Sequence, residues 1–151
     1  DGTIDEIRRM TYNLMPSVLV DFGVGRALAS FIERMKKSSG IEIIYDDATK
    51  GKSGKLSMEL DICIFRVSQE LINNTMKPAN AGKITISLTE FNDKISLYYL
   101  DNGKGFDLNK IKYGAGLRNI RERVEIFNGY LSIHSDCHGT EVEVEIPLKN
   151  E

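Results

Sequence analysis

Apolar side chains recur every three or four positions in four segments of this chain, which is the spacing of amphipathic helices. The segments are residues 3–15, 21–38, 57–77 and 117–128. Each segment is bounded by a residue that commonly begins or stops a helix. Pro16 ends the first segment and Gly40 stops the second, while Ser57 can cap the third and Gly129 stops the fourth. The pattern therefore predicts four helices.

A second pattern, rich in β-branched and aromatic residues, predicts strands and the turns between them. The strands are residues 41–45, 83–90, 94–100, 130–135 and 140–147, and the longer loops are residues 46–55 and 101–116. Asn92 and Asp93 form a turn between neighbouring strands, and the string DCHG joins the last two. Helices and a largely antiparallel sheet in mixed order indicate an α/β two-layer sandwich.

Length and charge exclude several classes of protein. The 151 residues suffice for one domain with its own core, and 20 basic against 22 acidic residues give a net charge of -2. This near-neutral charge does not indicate binding to nucleic acid or to an anionic membrane. No apolar run approaches the ~20 residues that span a bilayer. Cys63 and Cys137 are far apart and indicate a reducing compartment. Because the chain opens at Asp1 within a helical pattern, we expect it to be a fragment of a longer protein.

A polar stripe interrupts the third predicted helix. Glu70, Asn73, Asn74 and Lys77 follow one another at i, i+3, i+4 and i+7, so their side chains lie on one face. A carboxylate one turn from an amide oxygen suits Mg²⁺, which prefers oxygen ligands and shares them with phosphates, and a lysine can meet a phosphate. A carboxylate at this position can also take a proton from an attacking group. The alternative is a solvated helix face that ends in a lysine.

Glycine-rich loops follow the predicted strand 94–100. Asp101 opens the first loop, DNGKGFD, and a buried carboxylate there needs a donor, for which the amino group of adenine is one candidate. Gly103 and Gly105 would let the backbone approach a flat ring. The alternative is an ordinary turn, since Asp-Asn-Gly is a common turn string.

A second glycine pair, Gly114 and Gly116, precedes the last predicted helix and would offer free amides and a positive helix end to a phosphate. An ordinary glycine N-cap is the alternative reading. Gly139 and Thr140 then begin the final strand, where a hairpin turn is the alternative.

The order of these elements resembles that of the GHKL superfamily, which comprises histidine kinases, Hsp90-like chaperones, type II topoisomerases and mismatch-repair ATPases. QELINNTMKPANA resembles its N box, DNGKGFD its G1 box, GAGLRNIRERV its G2 box, and HGTEVEVEIP its last glycine-threonine element. Within the superfamily, FRVSQE and GLRNIRERV are similar to the nitrate/nitrite-sensor type of histidine kinase. The opening EIRRMTYNLMPSVLVDFGVGRAL resembles the end of that family's dimerisation helix.

The resemblance implies a Bergerat ATP-binding fold with helices on one face of a mixed, largely antiparallel sheet, and it assigns roles to residues. Glu70 assists phosphotransfer, Asn74 with Asn73 beside it binds Mg²⁺, and Lys77 meets the phosphates of ATP. Asp101 takes the adenine amino group. The other residues implied in ATP binding are Gly103 and Gly105 at the adenine pocket, Gly114, Gly116 and Leu117 on the phosphate side under a mobile lid of residues 107–115, and Thr140 near the adenine.

The chain departs from the family pattern in two respects. Pro78 stands where the N box has an aromatic residue or His, and a proline there ends the helix at Lys77. The phosphoacceptor histidine is absent, because His134 and His138 both fall in the C-terminal hairpin.

The resemblance therefore implies the catalytic domain of a sensor histidine kinase, with ATP and Mg²⁺ as cofactors. Residues 1–16 would end the dimerisation helix and residues 17–151 would form the catalytic domain. Its partners would be its own dimerisation helix, in a homodimer of the full-length protein, and the receiver domain of a response regulator, with no nucleic acid and no direct membrane contact. A cytoplasmic location is implied, and membrane anchoring of the full-length protein is left open. The alternatives are a serine kinase of the anti-sigma-factor type and a non-catalytic ATP-sensing module.

Overall fold

The computed structural model describes residues 16–76, 82–103 and 115–148, and it forms helices packed on one five-stranded sheet. The helices are α1 (Ser17–Phe22), α2 (Val24–Ser39), α3 (Met58–Met76) and α4 (Ala115–Ile126), with one turn of 3-10 helix at Gly51–Ser53. The strands are β1 (Glu42–Ala48), β2 (Lys83–Glu90), β3 (Lys94–Asp101), β4 (Tyr130–Asp136) and β5 (Gly139–Pro147).

The strands run in the spatial order β1-β2-β3-β5-β4. Strand β1 pairs with β2 in parallel, and the remaining three pairings are antiparallel. The predicted mixed, largely antiparallel sheet is thereby confirmed. Its register brings Asp101, the last residue of β3, opposite Ile84 on one side and Thr140 on the other.

One face of the sheet forms the core with the helices. Along β2 and β3 every second residue is buried, while the residues between them are less buried. The buried face meets apolar side chains of α2, α3 and α4 in one continuous cluster, in which Phe31 and Phe65 pack edge to face with ring centroids 6.0 Å apart. Because burial of each large apolar side chain contributes about 1.5–3 kcal/mol, this cluster fixes α3 against the sheet.

The second predicted helix is wrong as one continuous element. Gly23 separates α1 from α2 with φ 90° and ψ 177°, a backbone conformation that a helix does not contain and that favours glycine. The predicted stop at Gly40 is confirmed, with a left-handed φ of 73° and its N–H donating to the carbonyl of Lys36. The predicted cap is confirmed as well, since Oγ of Ser57 accepts the backbone N–H of Leu60 at 3.2 Å.

Several boundaries differ from the predicted ones. Strand β1 continues through Ala48 into the predicted polar loop, because these residues pair with β2 although their side chains are exposed. Strand β3 includes Asp101. Helix α4 begins two residues earlier than predicted and ends at Ile126, where Asn128 takes a positive φ of 56° and the N–H of Gly129 donates to Val124.

The predicted helix 3–15, together with Lys77, Gly105, Gly114 and residues 107–114 of the predicted lid, lies outside the described residues. Within the part of the chain that is described, no helix is both long and apolar enough to cross a bilayer.

Candidate functional site

Glu70, Asn73 and Asn74 lie on the last two turns of α3. Glu70 and Asn74 are half-buried and Asn73 is exposed, so the stripe predicted from the sequence lies at the edge of the packed helix. Glu70 and Asn73 line a cavity of about 580 Å³. These residues are one helical turn apart, and each turn rises about 5.4 Å, so they form a continuous polar edge.

The same cavity has walls from α2, α3 and α4. Arg66 and Gln69 contribute from α3, with Nη1 of Arg66 donating to Oε1 of Gln69 at 3.4 Å. Asn119 and Arg123 contribute from α4. The apolar part of the wall consists of Phe31, Met35 and Ile62. The cavity therefore combines two guanidinium groups, one carboxylate, three amides and an apolar side.

Burial and the neighbouring Arg123 disfavour the positive charge of Arg66. Burial, and then the positive charge of Arg123, lower the pKa of Arg66 below its usual value. Nε of Arg123 is buried and has no hydrogen-bond partner among the described residues. A buried donor without a partner costs free energy.

Asp101 lies at the end of β3 with its carboxylate buried. Oδ2 accepts the hydroxyl of Tyr99 at 2.7 Å, while Oδ1 accepts the backbone N–H groups of Gly103 at 2.9 Å and Thr140 at 3.2 Å. These donors come from three segments that meet only in the folded sheet. They hold the carboxylate in one orientation. A group that recognises a ligand through a hydrogen bond needs such a fixed orientation.

Two neighbours complete this arrangement. Gly139 has a φ of 144°, and a Cβ built on it would come within 1.9 Å of the carbonyl oxygen of Asp101. Only glycine therefore allows β5 to approach β3 here. The hydroxyl of Thr140 lies 2.9 Å from that of Ser135, which orients the threonine at the start of β5.

The donor set on α3 fits a magnesium ion that also binds phosphates. Among the described residues no group of three or more His, Cys, Asp and Glu side chains is arranged to hold a metal. Glu70 and Asn74 instead provide a carboxylate and an amide oxygen at i and i+4, and Mg²⁺ is commonly held by one or two protein oxygens together with phosphates and waters.

Comparison with known proteins identifies the fold and the kind of ligand. Residues 60–150 match the family of histidine kinase-, DNA gyrase B- and HSP90-like ATPases. The chain belongs to this ATPase family. The match includes Glu70, Asp101 and Thr140, and an adenine nucleotide is the ligand that an ATPase domain uses.

Two similar proteins are named as histidine kinases. The chain is 36% identical to the sensor histidine kinase MctS of Rhizobium johnstonii over 97% of its length, and 31% identical to the histidine-protein kinase/phosphatase DegS of Brevibacillus brevis over 99%. It spans only 32% and 39% of those two proteins.

Solved structures share the fold of this ATPase domain. The histidine kinase domain of the blue-light activated kinase EL346 of Erythrobacter litoralis matches 83% of this chain, which covers 61% of that domain, with a TM-score of 0.68 and 18% identity. The kinase AdeS of Acinetobacter baumannii matches 99% of this chain, which covers 82% of it, with a TM-score of 0.68 and 16% identity.

Several residues at the site were not identified from the sequence. Tyr99 lies two positions before Asp101 on the same strand, so the alternation of side chains along β3 was the available signal. Arg66 lies one helical turn before Glu70, a spacing that also indicates a shared face. Arg123 comes from another helix, and the local pattern gives no sign that it meets Arg66.

Proposed function

We propose that this chain is the catalytic domain of a sensor histidine kinase of the nitrate/nitrite-sensor type, which binds ATP with Mg²⁺ and transfers the γ-phosphoryl group to a histidine on a dimerisation helix. An aspartate on the receiver domain of a response regulator would then take the group. The observation that carries the proposal is the buried Asp101 carboxylate, fixed by Tyr99, Gly103 and Thr140 within the region that matches the ATPase family. Similarity to two named histidine kinases supports the choice of acceptor.

The adenine end of the nucleotide is recognised by Asp101. Its carboxylate accepts the adenine amino group, and Gly103, which is buried and bonded to the same carboxylate, lets the backbone lie close to the ring. Thr140 borders this pocket from β5. Gly105, Gly114, Gly116 and Leu117 keep their expected roles in binding the nucleotide.

The phosphates of the nucleotide bind along the polar edge of α3. Asn74, with Asn73 beside it, would hold Mg²⁺, and Lys77 would meet the phosphates. When bound, the ion neutralises charge that develops on the phosphates. Glu70 orients the acceptor imidazole and takes its proton while the nitrogen–phosphorus bond forms and the bond from phosphorus to the departing ADP oxygen breaks. Most of the catalysis is positioning of the reactants.

Residues 1–16 would end the dimerisation helix, and residues 17–151 would form the catalytic domain. The full-length protein would be a homodimer, either cytoplasmic or anchored in a membrane with this domain in the cytoplasm.

His134 and His138 are poor phosphoryl acceptors. His134 is an exposed residue of β4 that alternates with the core-facing Ile133 and Ser135, so it lies on the sheet face opposite to α3. His138 lies in the exposed β4–β5 turn.

A phosphotransfer assay tests the proposal. The 151-residue chain is incubated with labelled ATP and Mg²⁺, with and without a separate polypeptide that carries the dimerisation helix of the full-length protein. We expect label only on the added polypeptide, lost in acid as phosphohistidine is. Stable label on this chain, removed by His134→Ala or His138→Ala, contradicts the proposal, and acid-stable label on a serine-containing partner favours the serine kinase instead.

A further inference from the structure

The cavity that Glu70 lines is also lined by two arginines, Arg66 from α3 and Arg123 from α4. We propose that these arginines bind a carboxylate on the polypeptide that presents the phosphoacceptor histidine, and thereby dock that polypeptide beside Glu70. This inference rests on the proposed function, because it names the surface through which the same site receives its acceptor.

The charge of the cavity favours an anion. Of its described lining residues, Arg66 and Arg123 are positive and Glu70 is negative, which leaves a net charge of +1. Burial, and then the neighbouring Arg123, lower the pKa of Arg66, so this position disfavours the positive charge of Arg66. A bound carboxylate would relieve both the repulsion and the cost of burial.

The donor geometry favours a carboxylate. Nε of Arg123 is a buried N–H group without a partner among the described residues. Arg123 also lines the cavity, and a guanidinium presents its N–H groups as a planar fork that can bind both oxygens of a carboxylate. Asn119, one turn before Arg123 on α4, adds an amide to the same wall.

The order of residues along α3 separates this anion from the nucleotide. Arg66, Glu70 and Asn74 follow one another at intervals of one turn, about 6 Å each. The asparagines assigned to the nucleotide therefore lie on one side of Glu70 and Arg66 lies on the other. Since Glu70 acts between donor and acceptor, the side of Arg66 faces the acceptor.

The apolar wall indicates that the carboxylate belongs to a polypeptide. Phe31, Met35 and Ile62 line the same cavity as the polar groups. A free oxyanion has nothing to place against them, whereas a helix with an acidic residue beside apolar ones satisfies both walls at once.

The test uses the 151-residue chain and the acceptor polypeptide of the phosphotransfer assay. Arg66→Gln and Arg123→Gln are compared with Arg121→Gln, which removes the same charge from an exposed position on α4. We expect KM for the acceptor polypeptide to rise about tenfold in the two cavity variants and less than about twofold in the control. The Kd for ATP should not change, and Arg123→Lys, which keeps the charge but not the fork, should be intermediate. The rise should shrink at high salt, because screening weakens the attraction in the parent.

A double-mutant cycle identifies the carboxylate. Each Asp and Glu of the acceptor polypeptide is changed to its amide in turn and combined with Arg123→Gln. One of these positions should be coupled to Arg123, so that the two changes together cost less than their sum.

The outcomes separate this inference from the proposed function. If the parent chain does not label the acceptor polypeptide, the proposed function fails and this inference with it. If the parent transfers and both arginine variants keep its KM, only the docking role is wrong. A weaker Kd for ATP in either variant would assign the arginines to the nucleotide, and additivity at every carboxylate would show that no acidic side chain of the acceptor is bound.

Discussion

The buried Asp101 carboxylate gives the sharpest test of how the nucleotide is held. In Asp101→Asn the side chain keeps its size and loses its charge. Its oxygen must remain at the position of Oδ1, because the backbone N–H groups of Gly103 and Thr140 both donate there and cannot turn away. The amide NH₂ is therefore forced into the position of Oδ2. There it faces two groups. The hydroxyl of Tyr99 can rotate and accept a hydrogen bond from the amide, whereas the adenine amino group is itself a donor and cannot accept one.

The magnitude follows from the contacts. A donor facing a donor leaves the adenine amino group unsatisfied, which costs about 1–3 kcal/mol. This corresponds to about a 5- to 150-fold rise in the Kd for ATP. The three internal hydrogen bonds each weaken by about 1 kcal/mol when the charge is lost, but the charge no longer has to be buried. We therefore expect the free energy of unfolding to fall by no more than about 2 kcal/mol, so the domain remains folded.

Tyr99→Phe is the matched control. It removes the hydroxyl that donates to Oδ2 at 2.7 Å and leaves the carboxylate free to accept from adenine. Loss of a hydrogen bond to a charged group costs about 1.5–3 kcal/mol of stability, which is comparable to the cost of Asp101→Asn, while the Kd for ATP should rise less than about fivefold.

Calorimetric titration with ATP and Mg²⁺, together with urea unfolding, measures both quantities. An unchanged Kd in Asp101→Asn would refute the adenine assignment. A Kd that rises in both variants in proportion to their loss of stability would show that the carboxylate only holds the strands together.

Three further predictions concern catalysis, packing and protonation. Glu70→Gln should keep the Kd for ATP and lose about 10²- to 10⁴-fold of the transfer rate to the acceptor polypeptide, and equal rates would make Glu70 a structural residue. Gly139→Ala should lower the free energy of unfolding, measured by urea titration, by more than the roughly 1–3 kcal/mol that a strained φ costs, because the new Cβ would also overlap a backbone oxygen. The control is Gly40→Ala, which should show the cost of the strained φ alone, because Gly40 has a φ of 73° and open space around it. Burial raises the pKa of the Cys63 thiol to about 11, so at pH 8 mass spectrometry should find an alkylating reagent on the exposed Cys137 alone. The free energy of unfolding should fall as pH rises from about 9 to 11, because the Cys63 thiol ionises at lower pH in the unfolded chain than in the folded one.

Local pattern predicted most of the sheet but not the contacts between distant segments. The alternation of apolar and polar residues gave β2 as Lys83–Glu90, the bounds that the structure has. The same reasoning ended β1 at Tyr45, because the polar residues 46–55 were predicted to form a loop. Asp46 and Asp47 are nevertheless extended, since β2 supplies parallel hydrogen bonds to them. That pairing joins residues some forty positions apart, which a window along the sequence does not contain.

The candidate site shows the same division. Asp101 was predicted as a buried carboxylate because it follows a strand of apolar and aromatic residues, and the structure confirms its burial. Its fixation depends on Thr140 and on the absence of a side chain at Gly139, both nearly forty residues further along the chain. The sequence identified the glycine-threonine pair but gave no reason for it beyond a hairpin turn. The reason is the close approach of β5 to the carbonyl oxygen of Asp101.

The charge of Arg66 in the cavity would be a disadvantage in a domain that only needed to be stable. Because the folded state lowers the pKa of Arg66, its charge is less favourable there than in the unfolded chain, and neutralising it should preserve or raise the melting temperature. If Arg66→Gln stabilises the domain and leaves KM for the acceptor polypeptide unchanged, the arginine has no role in binding the acceptor. A substitution that stabilises the domain and impairs use of the acceptor polypeptide would show that stability is given up to bind a partner's carboxylate. Melting curves of Arg66→Gln, measured beside its KM for the acceptor, distinguish the two explanations, because a packing role for Arg66 predicts that stability and transfer fall together.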